Sequence, residues 1–139
     1  MSISHSRPTL TYAAASQMVA TAIAHASANG WSISVAVLDN SGQVLASGRM
    51  DNVPAQILDF ASDKAYTAML GKTSLAFGER MAELKSLEMG VPNRARLITW
   101  EGGVPVMEND TQIGAIGVSG AAGHEDAACA NAAIAAIGL

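Results

Sequence analysis

A chain of 139 residues has the length of one domain and is too short for two separate cores. Half of its residues are hydrophobic, which excludes intrinsic disorder, yet only 14% are charged and 4% aromatic. Eight Lys and Arg against twelve Asp and Glu give a net charge of −4 with no basic run, which excludes a phosphate-neutralising nucleic-acid surface.

The first eight residues, Met1 to Pro8, read as a frayed tail without the charged start and apolar stretch of a signal peptide. No window approaches the roughly eighteen apolar residues of a membrane span, so no membrane partner is expected and cytoplasm is the expected location. From Thr11 to Ala28, the residues Ala15, Met18, Val19, Ala22, Ile23 and Ala26 recur at helical spacing. Thr9 or Thr11 caps that helix and Asn29-Gly30 stops it. Ile33, Val35 and Val37 then alternate with small residues, and Asp39-Asn40-Ser41-Gly42 turns the chain into Gln43–Ser47. That makes Trp31–Gly48 an antiparallel hairpin.

A helix is predicted from about Ala55 to Leu70, ended by Gly71, with Lys64 on its apolar stripe. A second helical pattern through Leu75, Met81, Leu84 and Leu87 is softly broken at Gly78 and closes at Gly90. Arg96–Trp100 reads as a short strand and Val104–Met107 as another, confined to an edge or a bulge by Pro105. Gly114 and Gly117 in Thr111–Ser119 leave gaps that another backbone or a ligand fills. The last helix is His124–Ile137. Helices before, between and after hairpin strands define an α+β sandwich on an antiparallel sheet.

Few residues carry chemistry. Gly71-Lys72-Thr73 mimics the end of a phosphate loop, but position 66 is Tyr66 instead of glycine, and the sequence follows a helix. His5, His25 and His124 have no metal or triad spacing, so no metal is expected. Cys129, the sole cysteine, reads as packing among alanines. Glu79 and Glu83 share a helix face that reads as solvated. The suggestive set is Arg49, Asp51, Lys64, the Gly102-Gly103 turn and the Gly114/Gly117 strand. A charge on an apolar stripe needs a partner, and Lys64 is expected to find a ligand carboxylate, Asp51 or Asp63.

These stretches resemble the GlcG/HbpS family, a haem-degrading or domain-of-unknown-function group. The resemblance rests on Val35-Ala36-Val37-Leu38-Asp39 with Gly42, Arg49-Met50-Asp51, Lys64-Ala65-Tyr66-Thr67-Ala68, Gly102-Gly103-Val104-Pro105, and Ile113 to Gly120 before Glu125-Asp126. It takes residues 1–139 as a single domain. It implies a profilin-like sandwich with a five-stranded antiparallel sheet, and a pocket of Arg49, Asp51, Lys64, Gly102, Gly103, Gly117 and Asp126. The implied function is binding of a small molecule, either haem or another carboxylate-bearing compound. The alternative is a cofactor-independent isomerase, hydratase or tautomerase acting on an organic acid in a catabolic pathway. Arg49 or Lys64 would then orient the acid, and Asp51, Glu101 or Asp126 would move a proton, with the catalytic residue left unassigned.

The low charge and the alanine coat of the last helix also predict a homo-oligomer, a tetramer to octamer, as the resemblance does.

Overall fold

The computed structural model describes residues 1–139 and contains no helix long and apolar enough to cross a membrane. Helix α1 spans Tyr12–Ala28, and the Thr11 hydroxyl caps it by accepting from the Ala14 N–H at 3.2 Å. Asn29 and a left-handed Gly30 (φ +76°) end it. Strands β1 (Ser34–Asp39) and β2 (Val44–Arg49) form the predicted hairpin. Its turn is built on Asp39, whose carboxylate accepts from the N–H groups of Ser41 (2.8 Å) and Gln43 (3.1 Å). Helix α2 covers Ala55–Ala68, α3 covers Ser74–Ala82, and α4 covers Lys85–Gly90, followed by a 3₁₀ turn at Val91–Asn93. Strands β3 (Gly103–Glu108) and β4 (Thr111–Ser119) are joined through Asn109 and Asp110, both left-handed, before α5 (Gly123–Ala136).

The sheet is four-stranded and fully antiparallel, in the order β2-β1-β4-β3. The central strands β1 and β4 are therefore buried on both faces. Alternation sends Val35, Val37, Ile116 and Val118 to one side, where Met18 and Ala22 of α1 and Cys129, Ala130 and Ala133 of α5 close the main core. Leu38 and Ala115 face the other side, under Ala65 and Ala68 of α2. Small side chains at these contacts let α1 and α5 lie close together and α2 lie close to the sheet. Pro105 falls on an edge strand, β3, with a bulge beside it at Val106/Met107, as its missing N–H requires.

Two expectations are corrected. Arg96–Trp100 is not a strand, so the sheet has four strands and not five. The reason lies in α2: the Thr67 hydroxyl accepts from the Ile98 N–H at 2.9 Å, and Ser62 and Asp63 hold Arg96. Side chains of a helix thus take the place of a neighbouring strand. The second correction concerns the helical stretch 74–90, which breaks at Leu84 (φ −132°, ψ 134°) and not at Gly78. Gly78 lies inside α3, where a Cβ would come within 2.7 Å of the Thr99 carbonyl oxygen.

Candidate functional site

Lys64 is buried, 3% exposed, and its ammonium lies 3.0 Å from both the Asp126 carboxylate and the Val118 carbonyl oxygen. Asp126, 2% exposed, sits in the first turn of α5, where the helix dipole favours an anion. Its second oxygen accepts from the Ala121 N–H at 2.9 Å. Burial pushes the Asp126 carboxyl above its ordinary range, opposed by the charge and hydrogen bond of Lys64 and by the Ala121 N–H. The expected partners of Lys64 are elsewhere. Asp51 is exposed, and Asp63 faces Arg96 at 3.4 Å.

Three glycines of the predicted set close around this pair. Gly102 (φ +132°) lies under Lys64, whose Cδ and Nζ would stand 3.0 Å from a Cβ there. A Cβ on Gly103 would strike the Lys64 carbonyl, and the Gly103 N–H donates to the buried Ser74 hydroxyl at 2.8 Å. A Cβ on Gly117 would strike the Ala61 carbonyl. The gaps at Gly103 and Gly117 are thus filled by the backbone of α2, and that at Gly114 by the Leu38 carbonyl and the Leu10 side chain. Arg49 and Asp51 stand apart from this cluster: Arg49 donates to the Val53 carbonyl at 2.6 Å, and neither residue enters an ion pair. Glu101 is half-buried beside Gly123. None of these residues lines the largest cleft.

That cleft, about 810 Å³, lies between the β1–β2 turn, the C-terminal half of α2, and the segment 93–97. Three of the eight cationic side chains, Arg7, Arg94 and Arg96, line it, and none of the twelve carboxylates does. Arg96 is held in place: its guanidinium stacks 4.0 Å over the Tyr66 ring centroid and donates to the Ser62 hydroxyl at 3.2 Å. Its Nε faces Asp63, whose carboxyl burial pushes up and Arg96 pulls down. Gly42 lies against the same ring, and a Cβ there would sit 3.7 Å from Tyr66 Cδ2. Met69, Leu70 and Leu97 supply apolar wall.

Sequence reading missed these arginines because Arg7 lay in the tail and Arg96 in a supposed strand. The available signal was Arg94-x-Arg96 in a chain with so few cations. No group of His, Cys, Asp and Glu side chains assembles to hold a metal ion. Cys129 is buried packing, its thiol pushed up to about 11 by desolvation and then by Asp126 and Glu125. Glu83 pairs with Arg80 at 2.6 Å, while Glu79 lines a smaller cleft between α3 and α4.

The fold and the site define a small single-sheet α+β protein whose largest cleft is cationic. The HbpS-like family, described as haem-degrading protein HbpS-like, matches residues 10–135, and the chain belongs to it. It is 37% identical over 105 residues to the protein GlcG of Escherichia coli K12, covering 76% of this chain and 77% of GlcG. Among solved structures it is similar to the Klebsiella pneumoniae protein ORFY (TM-score 0.92, 31% identity, 100% and 98% of the two chains). An HbpS double mutant from Streptomyces reticuli is also similar (TM-score 0.89, 29% identity, 98% and 92% of the two chains).

Proposed function

We propose that this protein binds a carboxylate-bearing organic ligand, haem or a chemical relative, in the arginine-lined cleft. One observation carries the reading: an acidic chain gathers three guanidiniums and no carboxylate in its largest cleft. Guanidinium forks match carboxylates in a bidentate way, and the weak hydration of Arg lowers the cost of taking it partly out of water. Haem fits this donor set. Its carboxylates would meet the arginines of the lining, Arg7, Arg94 and Arg96, its ring would lie on the apolar wall of Leu70 and Leu97, and Tyr66 or Met69 would offer the iron an oxygen or a sulfur. Bound haem would supply redox and ligand-binding iron chemistry. The family's description, which names haem, supports the same ligand class.

The isomerase, hydratase or tautomerase reading is less well supported, because the cleft lining has no His, Asp or Glu to move a proton. Hemin titration tests the proposal: a saturable Soret change is expected at low micromolar protein. Arg96→Ala is expected to weaken binding about tenfold, or about 1.4 kcal/mol. Equal titration curves for both proteins, or no saturable change, would remove the proposal.

The proposal also takes the chain as a cytoplasmic homo-oligomer larger than a dimer. Leu70, Leu84, Met89 and Trp100 are each more than half exposed, a large apolar exposure for so small a chain. Light scattering is expected to give a mass of at least four times the chain's 14.2 kDa. A mass near that of one chain or of two would contradict it.

A further inference from the structure

We infer that Arg7 makes the cleft selective for ligands with two carboxylates, an inference that rests on the reading above and deepens it. The cleft's cations come from two distant parts of the chain. Arg94 and Arg96 stand two residues apart on one segment, with Arg96 already fixed against Tyr66, Ser62 and Asp63. One carboxylate satisfies that segment.

Arg7 reaches the cleft from the stretch before α1, and that stretch is pinned. The Asn40 side-chain amide donates to the Pro8 carbonyl at 2.6 Å, and the Asn40 N–H donates to the Thr9 hydroxyl at 3.0 Å. The Leu10 N–H donates to the Ile113 carbonyl at 2.9 Å, and the Leu10 side chain is buried where Gly114 leaves room. Arg7 is thus attached one residue from a fixed point at the edge of the cleft, with a free side chain that enters no ion pair. No Asp or Glu in the cleft neutralises it. An unpaired guanidinium brought there from a separate segment has a second anionic group as its complement. Holding its backbone in place beforehand reduces the entropy lost when that group binds.

Binding of hemin and of hemin monomethyl ester to wild type and to Arg7→Ala, each followed by titration, tests this. The monoester keeps one carboxylate for the Arg94/Arg96 segment and lacks the one assigned to Arg7. Wild type is expected to prefer hemin over the monoester by about tenfold, the order of one charge-assisted contact. In Arg7→Ala that preference is expected to collapse to about unity, with monoester affinity unchanged. Because Arg7 is exposed, folding of the variant is not at issue. Loss of affinity by the same factor for both ligands, or for neither, would overturn the inference while leaving the cleft as the binding site. Failure of wild type to bind hemin at all would overturn the underlying reading and this inference with it.

Discussion

Lys64→Met is expected to destabilise the fold by about 3–5 kcal/mol at neutral pH, the cost of leaving one member of a buried ion pair without its partner. The stranded group is Asp126, 2% exposed, which would keep only the Ala121 N–H as a donor. A loss of that size takes a large part of the roughly 5–15 kcal/mol that holds a domain together.

The effect also has a pH signature. The carboxyl of Asp126 is already raised above its ordinary 3.8 because burial outweighs Lys64. A raised carboxyl favours the folded state while protonated, so its contribution is complete below 3.8 and fades as pH rises through the folded value. Without Lys64 the folded value climbs further. The destabilisation by Lys64→Met should therefore be small near pH 4 and grow toward pH 7, measured by urea unfolding at both. Adding Asp126→Leu to Lys64→Met should restore part of the loss, since an apolar pair of similar size replaces a buried ion pair well. A loss below about 1 kcal/mol at pH 7, or one that is flat with pH, would mean the pair is not the buried contact described here.

The second large effect is steric. Gly117→Ala would place a methyl group against the Ala61 carbonyl oxygen, and 2.6 Å from the Ala65 backbone nitrogen. Both obstacles belong to the backbone of α2, so no rotamer change relieves them, and the helix must lift off β4. Overpacking typically costs about 1–3 kcal/mol, and a rigid backbone neighbour puts this site at or above the top of that range. Gly90→Ala is the matched control, because nothing lies within 4 Å of a Cβ there and its φ is ordinary (−80°). Thermal unfolding should show a marked fall for Gly117→Ala and little change for Gly90→Ala. Equal melting temperatures for Gly117→Ala and wild type would contradict the close seating of α2 on the sheet.

Local chemistry made most of the elements legible in the sequence. Thr11 and Asn29-Gly30 bracket α1, Asp39 to Gly42 turn the first hairpin, and Pro105 marks an edge strand. The missing fifth strand shows where such reading stops. Arg96 to Trp100 has strand-like composition, but its backbone is held by Thr67, and nothing local announces a side chain from another helix. The same limit governs the site. The apolar stripe showed that Lys64 needed a partner, yet the partner that it finds is 62 residues away along the chain. Asp126 was singled out by family resemblance, not by spacing. The cleft was hidden more completely, because Arg7, Tyr66 and Arg96 meet only after α2 packs on the sheet and the N-terminal stretch crosses the hairpin turn. Of the two fillings that Gly114 and Gly117 left open, another backbone or a ligand, the fold takes the backbone: the Leu38 carbonyl at one and α2 at the other.

A crystal structure of the protein with hemin bound decides where the ligand sits. Ligand density is expected in the cleft beside Tyr66, with one carboxylate on Arg94 and Arg96, the other on Arg7, and the Lys64–Asp126 pair unbroken. Hemin seated on the Lys64, Gly102 and Asp126 side of the sheet, or against Arg49 and Asp51 with the cleft empty, would contradict that placement.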